Sequence, residues 1–167
     1  MKKIVMFLLL SSYLFAEYGV SFGAGKDASI NTYRVGVQKY FSSSIYSNET
    51  ITLSGFHEVG FGSWRGNNHD KIDVISYSPV FTLNFNSFDG AKLKPYIDAG
   101  IGVSYISKKH INDRRFSTGF EFEDRVSLGV SIDGIDVYFR YMHYSNGGFK
   151  RPNDGLDIVS IGLNYRF

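Results

Sequence analysis

Ser145, His143 and Asp157 are the residues of this chain whose types and spacing could do chemistry. A serine hydroxyl is a weak nucleophile until a neighbouring base accepts its proton, and the base needs an acid to hold its tautomer and stabilise the imidazolium. His143 and Ser145 are two apart. On a strand they emerge on the same face about 6–7 Å apart at the α-carbons, which permits a hydrogen bond. Asp157 opens the next alternating stretch and can lie across a hairpin, where opposed residues approach to about 5 Å. Such a group would turn the serine into an activated nucleophile. His-x-Ser pairs also arise by chance, and the bland reading is a rim of polar side chains.

The elements that must position these residues alternate with period two. Ile135, Val137, Phe139 and Tyr141 share a face that continues to His143 and Ser145, and Asp157 opens a face continued by Val159, Ile161, Leu163, Tyr165 and Phe167. The opposite faces (Asp136, Tyr138, Arg140, Met142; Ser160, Gly162, Asn164, Arg166) are mostly polar or small. A soluble barrel would hide its apolar face. Here the pattern suits a barrel that is greasy outside and wet inside, which sends the Ser, His and Asp to the lipid side. Similar stretches, of about the 9–11 residues that span a bilayer, recur at 18–25, 30–41, 50–63, 72–85, 95–107 and 119–132, before 135–145 and 156–167. The fold class is all-β: an eight-stranded antiparallel transmembrane barrel. Pro79 within the fourth strand implies a bulge or a missing ladder bond. Asp133-Gly134 is a two-residue type I′ hairpin signal. The longer polar connections 64–71, 107–118 and 146–155 belong at the outer end, which places His143, Ser145 and Asp157 together at the outer rim.

Composition bounds the compartment. Residues 1–16 give a basic start (Lys2, Lys3), an apolar run from Ile4 to Phe15 and a small residue before Glu17, as in a secretory signal peptide; residues 17–167 form the barrel. The run is shorter than the roughly 20 residues of a spanning helix. A net charge of +2, neutral without the two leader lysines, excludes the concentrated positive field of a nucleic-acid binder. Cysteine is absent, and aromatic residues reach 17%, as expected where rings band both membrane interfaces. His69 and His110 lie in loops without a metal-ligand cluster, and no metal or cofactor is expected. His57 and Asp124 fall on nominally outward faces without an adjacent nucleophile and read as interfacial or misregistered residues.

The segment from Arg140 to Gly155, RYMHYSNGGFKRPNDG, resembles the His-x-Ser-Asn signature, followed by Pro-Asn-x-Gly, of the lipid A 3-O-deacylases of PagL type. The match is specific over 138–157 and compatible elsewhere in length, leader and aromatic terminus. The resemblance implies an eight-stranded outer-membrane barrel that hydrolyses the ester-linked acyl chain at position 3 of lipid A, with lipopolysaccharide as its partner. It implies His143 as general base, Ser145 as nucleophile and Asp157 as the acidic member, where the family more typically has Glu. Asp is one methylene shorter, so its carboxylate must come closer or bond through water. Asn146 and Gly148 would serve an oxyanion, although Asn146-Gly147-Gly148 reads equally as a turn needing positive φ. Lys150 and Arg151 would meet lipid A phosphates. Whether copies pair as a homodimer is open. The competing function is a non-catalytic small barrel, an adhesin, surface shield or structural anchor; a pore is disfavoured because side chains fill eight-stranded interiors.

Overall fold

The computed structural model describes residues 17–67 and 69–167. The signal segment expected over 1–16 lies outside the described residues. Eight strands make the wall: β1 (Tyr18–Asp27), β2 (Ile30–Tyr40), β3 (Ile51–Arg65), β4 (Lys71–Phe85), β5 (Lys94–Ile106), β6 (Phe120–Ile132), β7 (Ile135–Ser145) and β8 (Leu156–Arg166). Each pairs antiparallel with the next. β1 also pairs with β8, from Gly19 opposite Arg166 to Lys26 opposite Val159, and closes the barrel. Closure leaves no unpaired edge among the wall strands, which spanning β structure requires. Among the described residues the only helical element is a 3₁₀ turn at Asn86–Phe88.

The alternation that marks these strands has opposite consequences on the two faces. Outward positions are apolar and exposed: Phe22, Val35, Phe61, Ile101 and Leu128 stand on the outer surface, and Ile161 is 67% exposed. Inward positions are polar and buried. Arg34 bonds Glu58 at 3.0 Å and Glu123 at 2.9 Å, and Arg125 contacts Glu58. Gln38 and Ser78 donate to these carboxylates at 2.8 and 2.7 Å. Buried charge is tolerated only when paired and hydrogen-bonded, and both conditions hold for Glu58 and Glu123. Gly60 leaves room for the network, since a Cβ there would strike the Arg34 guanidinium.

Nearer one end the interior changes character. Ile30, Trp64, Ile72, Ile106, Ile111, Phe116, Tyr144 and Leu156 are buried together and plug the barrel beneath the loops. The charge network fills the middle of the interior and the plug fills one end, as expected of eight strands; toward the other end a cavity of about 230 Å³ remains, lined by Thr82, Asp98, Asp136 and Arg166 among others, whereas the Ser, His and Asp singled out from sequence belong to the outer wall.

Two expectations need refinement. The ladder between β4 and β5 skips Pro79: Tyr77 pairs with Val103 and Val80 with Gly100, in unbroken register. Proline therefore costs pairing here without making a bulge, because no extra residue is inserted. Connection length also fails to sort the two ends cleanly. Asp133-Gly134 is the tight turn expected, with both φ values positive at 49° and 84°. The end bearing the long connections 107–119 and 146–155, however, also has the two-residue turn Ala28-Ser29, and the opposite end has the longer 41–50 and 86–93. Within 41–50 the pair Tyr46–Ser47 ladders onto β3, which adds a short piece of sheet to that connection.

Candidate active site on the outer wall

β7 and β8 pair so that His143 lies directly opposite Asp157. Both sit on outward phases near the end bearing the long loops, because the alternation that sends Val137 and Leu163 outward continues through them. His143 Nδ1 lies 2.8 Å from Asp157 Oδ1. An ionised carboxylate can only accept, which assigns the proton to Nδ1 and leaves Nε2 with a lone pair, the form a general base needs. Asp157 thus reaches the histidine directly, without an intervening water, because the strand register brings it close enough for the short side chain.

Asp157 is held by more than the histidine. The Tyr141 hydroxyl donates to the same Oδ1 at 2.6 Å. The Asp157 backbone N–H donates to Asp27 Oδ2 at 3.1 Å, and Asp27 in turn pairs with Arg114 at 3.3 Å. Tyr141, Asp27 and Arg114 carry no motif. The signal for Tyr141 was its place on the face of His143, whereas Asp27 comes from β1, the strand paired with β8, and Arg114 from connection 107–119, and neither has a local signature. Asp124, read from sequence as an interfacial residue, lies directly opposite His143 on its other side, from β6. His57 is bonded to Tyr77 Oη at 2.8 Å and stacks on its ring, away from any nucleophile.

Ser145 ends β7 two residues beyond His143 on the same face. Its Oγ accepts the Gly147 N–H at 3.4 Å, and among the described residues no hydrogen bond joins it to His143. The structure therefore brings histidine and aspartate together and leaves the serine beside them, unlinked. Gly155 packs against the imidazole: a Cβ there would lie 3.3 Å from His143 Cε1 and 4.0 Å from Nε2, and its φ is +66°. A side chain at that position would crowd the edge that must face the serine.

The loop after Ser145 is folded by its own asparagines. Asn146 is buried, its Nδ2 donating to the Lys150 carbonyl at 2.9 Å and its Oδ1 accepting the Gly148 N–H at 2.9 Å. Asn153 Oδ1 accepts the Asn146 N–H at 3.2 Å. Gly147 and Gly148 both have positive φ, 65° and 81°, so the turn reading of this segment holds. The donors of Asn146 and Gly148 are engaged within the turn. Connection 107–119 docks on this loop through a Phe116–Asn153 bridge, a Ser117 Oγ to Pro152 carbonyl bond of 2.6 Å, and an Arg115 N–H to Asp154 bond of 2.8 Å. Arg114 and Arg115 are thereby committed to Asp27 and Asp154, while Lys150 and Arg151 are exposed.

Comparison with known proteins follows this geometry. The family profile described as "Lipid A 3-O-deacylase (PagL)" matches residues 31–166. "Lipid A deacylase PagL" of Pseudomonas aeruginosa PAO1 is 33% identical over 148 residues, covering 87% of this chain and 83% of that protein. The protein of the same description from Bordetella bronchiseptica RB50 is 41% identical over 73 residues, 43% of this chain and 41% of its own length. A solved structure, "Crystal structure of the outer membrane enzyme PagL", superposes with a TM-score of 0.82 at 32% identity, covering 89% of this chain and 99% of the other. Neisserial surface protein A superposes with a TM-score of 0.50 at 14% identity, over 90% of this chain and 94% of its own, a likeness of fold alone.

Proposed function

This chain belongs to the lipid A 3-O-deacylase (PagL) family, and from that premise we propose that it is an outer-membrane esterase that removes the 3-O-linked acyl chain of lipid A with Ser145 as nucleophile. The observation that carries the mechanism is the 2.8 Å bond between His143 Nδ1 and Asp157 Oδ1 on the lipid-facing wall. Ser145 Oγ attacks the ester carbonyl carbon while His143 Nε2 takes its proton. The tetrahedral intermediate collapses, the sugar 3-oxygen leaves with that proton, and the acyl group remains on Ser145. Water, deprotonated by His143, then attacks the acyl-serine and releases the fatty acid with the serine restored. Throughout, Asp157 holds the imidazole in its Nδ1–H tautomer and stabilises the imidazolium.

A site on the outer wall suits a substrate that never leaves the leaflet. The acyl chains lie against the apolar rows below the site, and the sugar lies at the rim. Asn146 and Gly148 supply the oxyanion donors, exchanging their bonds within the turn for the substrate oxygen. Lys150 and Arg151, exposed at that rim, engage the phosphates by charge-assisted hydrogen bonds. A non-catalytic anchor would need none of these placements. The test is mass spectrometry of lipid A from a Gram-negative host with and without the protein. The parent chain should remove the mass of one 3-O-acyl group, and Ser145→Ala, displayed as a folded barrel at equal level, should leave the lipid intact. Deacylation by Ser145→Ala would rule out the serine mechanism, and unchanged lipid with the parent would favour the anchor.

A further inference from the structure

Asp157 is an awkward residue on which to rest a general base. Its side chain is 51% exposed, so protein packing does little to hold its carboxylate, and an exposed pair of this kind is worth only about 0–1 kcal/mol against competing water. Its backbone is pinned by Asp27, which fixes the Cα and leaves the carboxylate free to turn. The group that restrains that rotation is Tyr141. Opposite His143 across the β7–β8 ladder stands Asp157, and opposite Tyr141 stands Val159, so the phenol reaches Asp157 diagonally, a distance that long aromatic side chains can bridge. It places its hydroxyl 2.6 Å from the oxygen that His143 uses.

The surroundings of Tyr141 give it a fixed direction. Its ring is 41% exposed in the apolar outer row between Phe139 and His143, where the bilayer covers it. A tyrosine at such a boundary keeps its ring in hydrocarbon and turns its hydroxyl to the polar side. The polar partner on that side is Asp157. Lipid thus orients the ring, the ring aims the hydroxyl, and the hydroxyl holds the carboxylate.

We propose that Tyr141 is a positioning residue of the deacylase site, acting through Asp157: its hydroxyl keeps the carboxylate turned onto His143 Nδ1 and so fixes the imidazole tautomer. The proposal rests on the serine–histidine reading given above. The Tyr141 hydroxyl is spent on Asp157, so its effect falls on turnover rather than on substrate binding.

The test uses Tyr141→Phe, which keeps the ring in lipid and removes only the hydroxyl; a heat-modifiable gel shift checks that the barrel is formed. In detergent micelles containing lipid A, kcat should fall about tenfold with KM unchanged. The second readout is the ring ¹⁵N shifts of His143 in long-range ¹H–¹⁵N correlation spectra, assigned with His143→Ala and recorded where the ring is neutral. They report which nitrogen carries the proton, a choice set by the hydrogen bond the ring makes. The parent and Ser145→Ala should show the Nδ1–H form, and Tyr141→Phe should move toward the Nε2–H form as Asp157→Ala does. A parent-like tautomer in Tyr141→Phe overturns the proposal whatever the rate, and so does parent-like kcat with a changed tautomer. Activity retained by Ser145→Ala would instead remove the serine reading, with the tautomer still reporting on Tyr141.

Discussion

Replacing Asp157 by Asn would preserve the shape of the acidic member while removing its charge. The amide could still face His143 Nδ1, but it can donate as well as accept, so it stabilises the wrong tautomer and gives the imidazolium no counter-charge. Turnover should fall by about 10³-fold or more with little change in KM, since the role proposed for Asp157 lies in the transition state rather than in substrate binding. Asp157→Glu should keep substantial activity: the residue sits opposite His143 at a half-exposed position, where an extra methylene has room to bend outward. Steady-state kinetics of both variants on lipid A in micelles check the pair. If Asp157→Asn turned over like the parent, the residue would be a strand-entry feature only, and Asp124, on the other side of His143, would become the carboxylate to test.

The hairpin of β7 and β8 builds the site, and its closest constraint is Gly155, just before β8. Gly155→Ala would force a side chain into a φ of +66° and within 3.3 Å of His143 Cε1, a backbone cost of about 1–3 kcal/mol. The imidazole must shift or the loop must move. Activity should drop at least about tenfold, with the heat-modified gel shift retained because the eight-strand ladder is untouched; parent-like kcat would show that the ring has slack. This contact shows where sequence reading stops. The strands were legible almost to the residue, because a lipid exterior and a polar interior write opposite chemistry on successive positions, and β7 was expected and found at 135–145. His143, Ser145 and Asp157 were legible by face and by resemblance. Register was not: a ten-residue connection separates β7 from β8, and alternation fixes which face a residue takes but not which residue it meets. The Tyr141–Asp157 bond and the Gly155 packing depend on that register, whereas Asp124 opposite His143 follows from the β6–β7 register that the two-residue Asp133-Gly134 turn fixes. Asp27 and Arg114 were illegible for a further reason, since they reach the site from β1 and from connection 107–119, far away in sequence.

The barrel inverts the usual order of a folded protein, with an apolar outside and a paired-charge inside, so its stability should respond to charge in a way that its activity does not. Glu58 lies at the centre of the inside, bonded to Arg34 at 3.0 Å, Gln38 at 2.8 Å and Ser21 at 3.2 Å, and touching Arg125. Replacing it by Gln leaves two buried guanidiniums with Glu123 as the remaining carboxylate of the network, and a buried charge that loses its partner typically costs about 3–5 kcal/mol. Arg125→Met strips the same centre of one cation and leaves Glu58 with Arg34. Combining the two restores the balance of charge, so the double variant should lie closer to the parent than the sum of the two single losses predicts. Unfolding by guanidinium in micelles, followed by the single tryptophan, reads this out well because Trp64 is buried in the apolar plug. The folded fraction of every variant should deacylate at the parent rate, since the network faces inward and the site outward. Strictly additive losses would mean that Glu58 and Arg125 stabilise the barrel independently rather than as a charge-balanced unit.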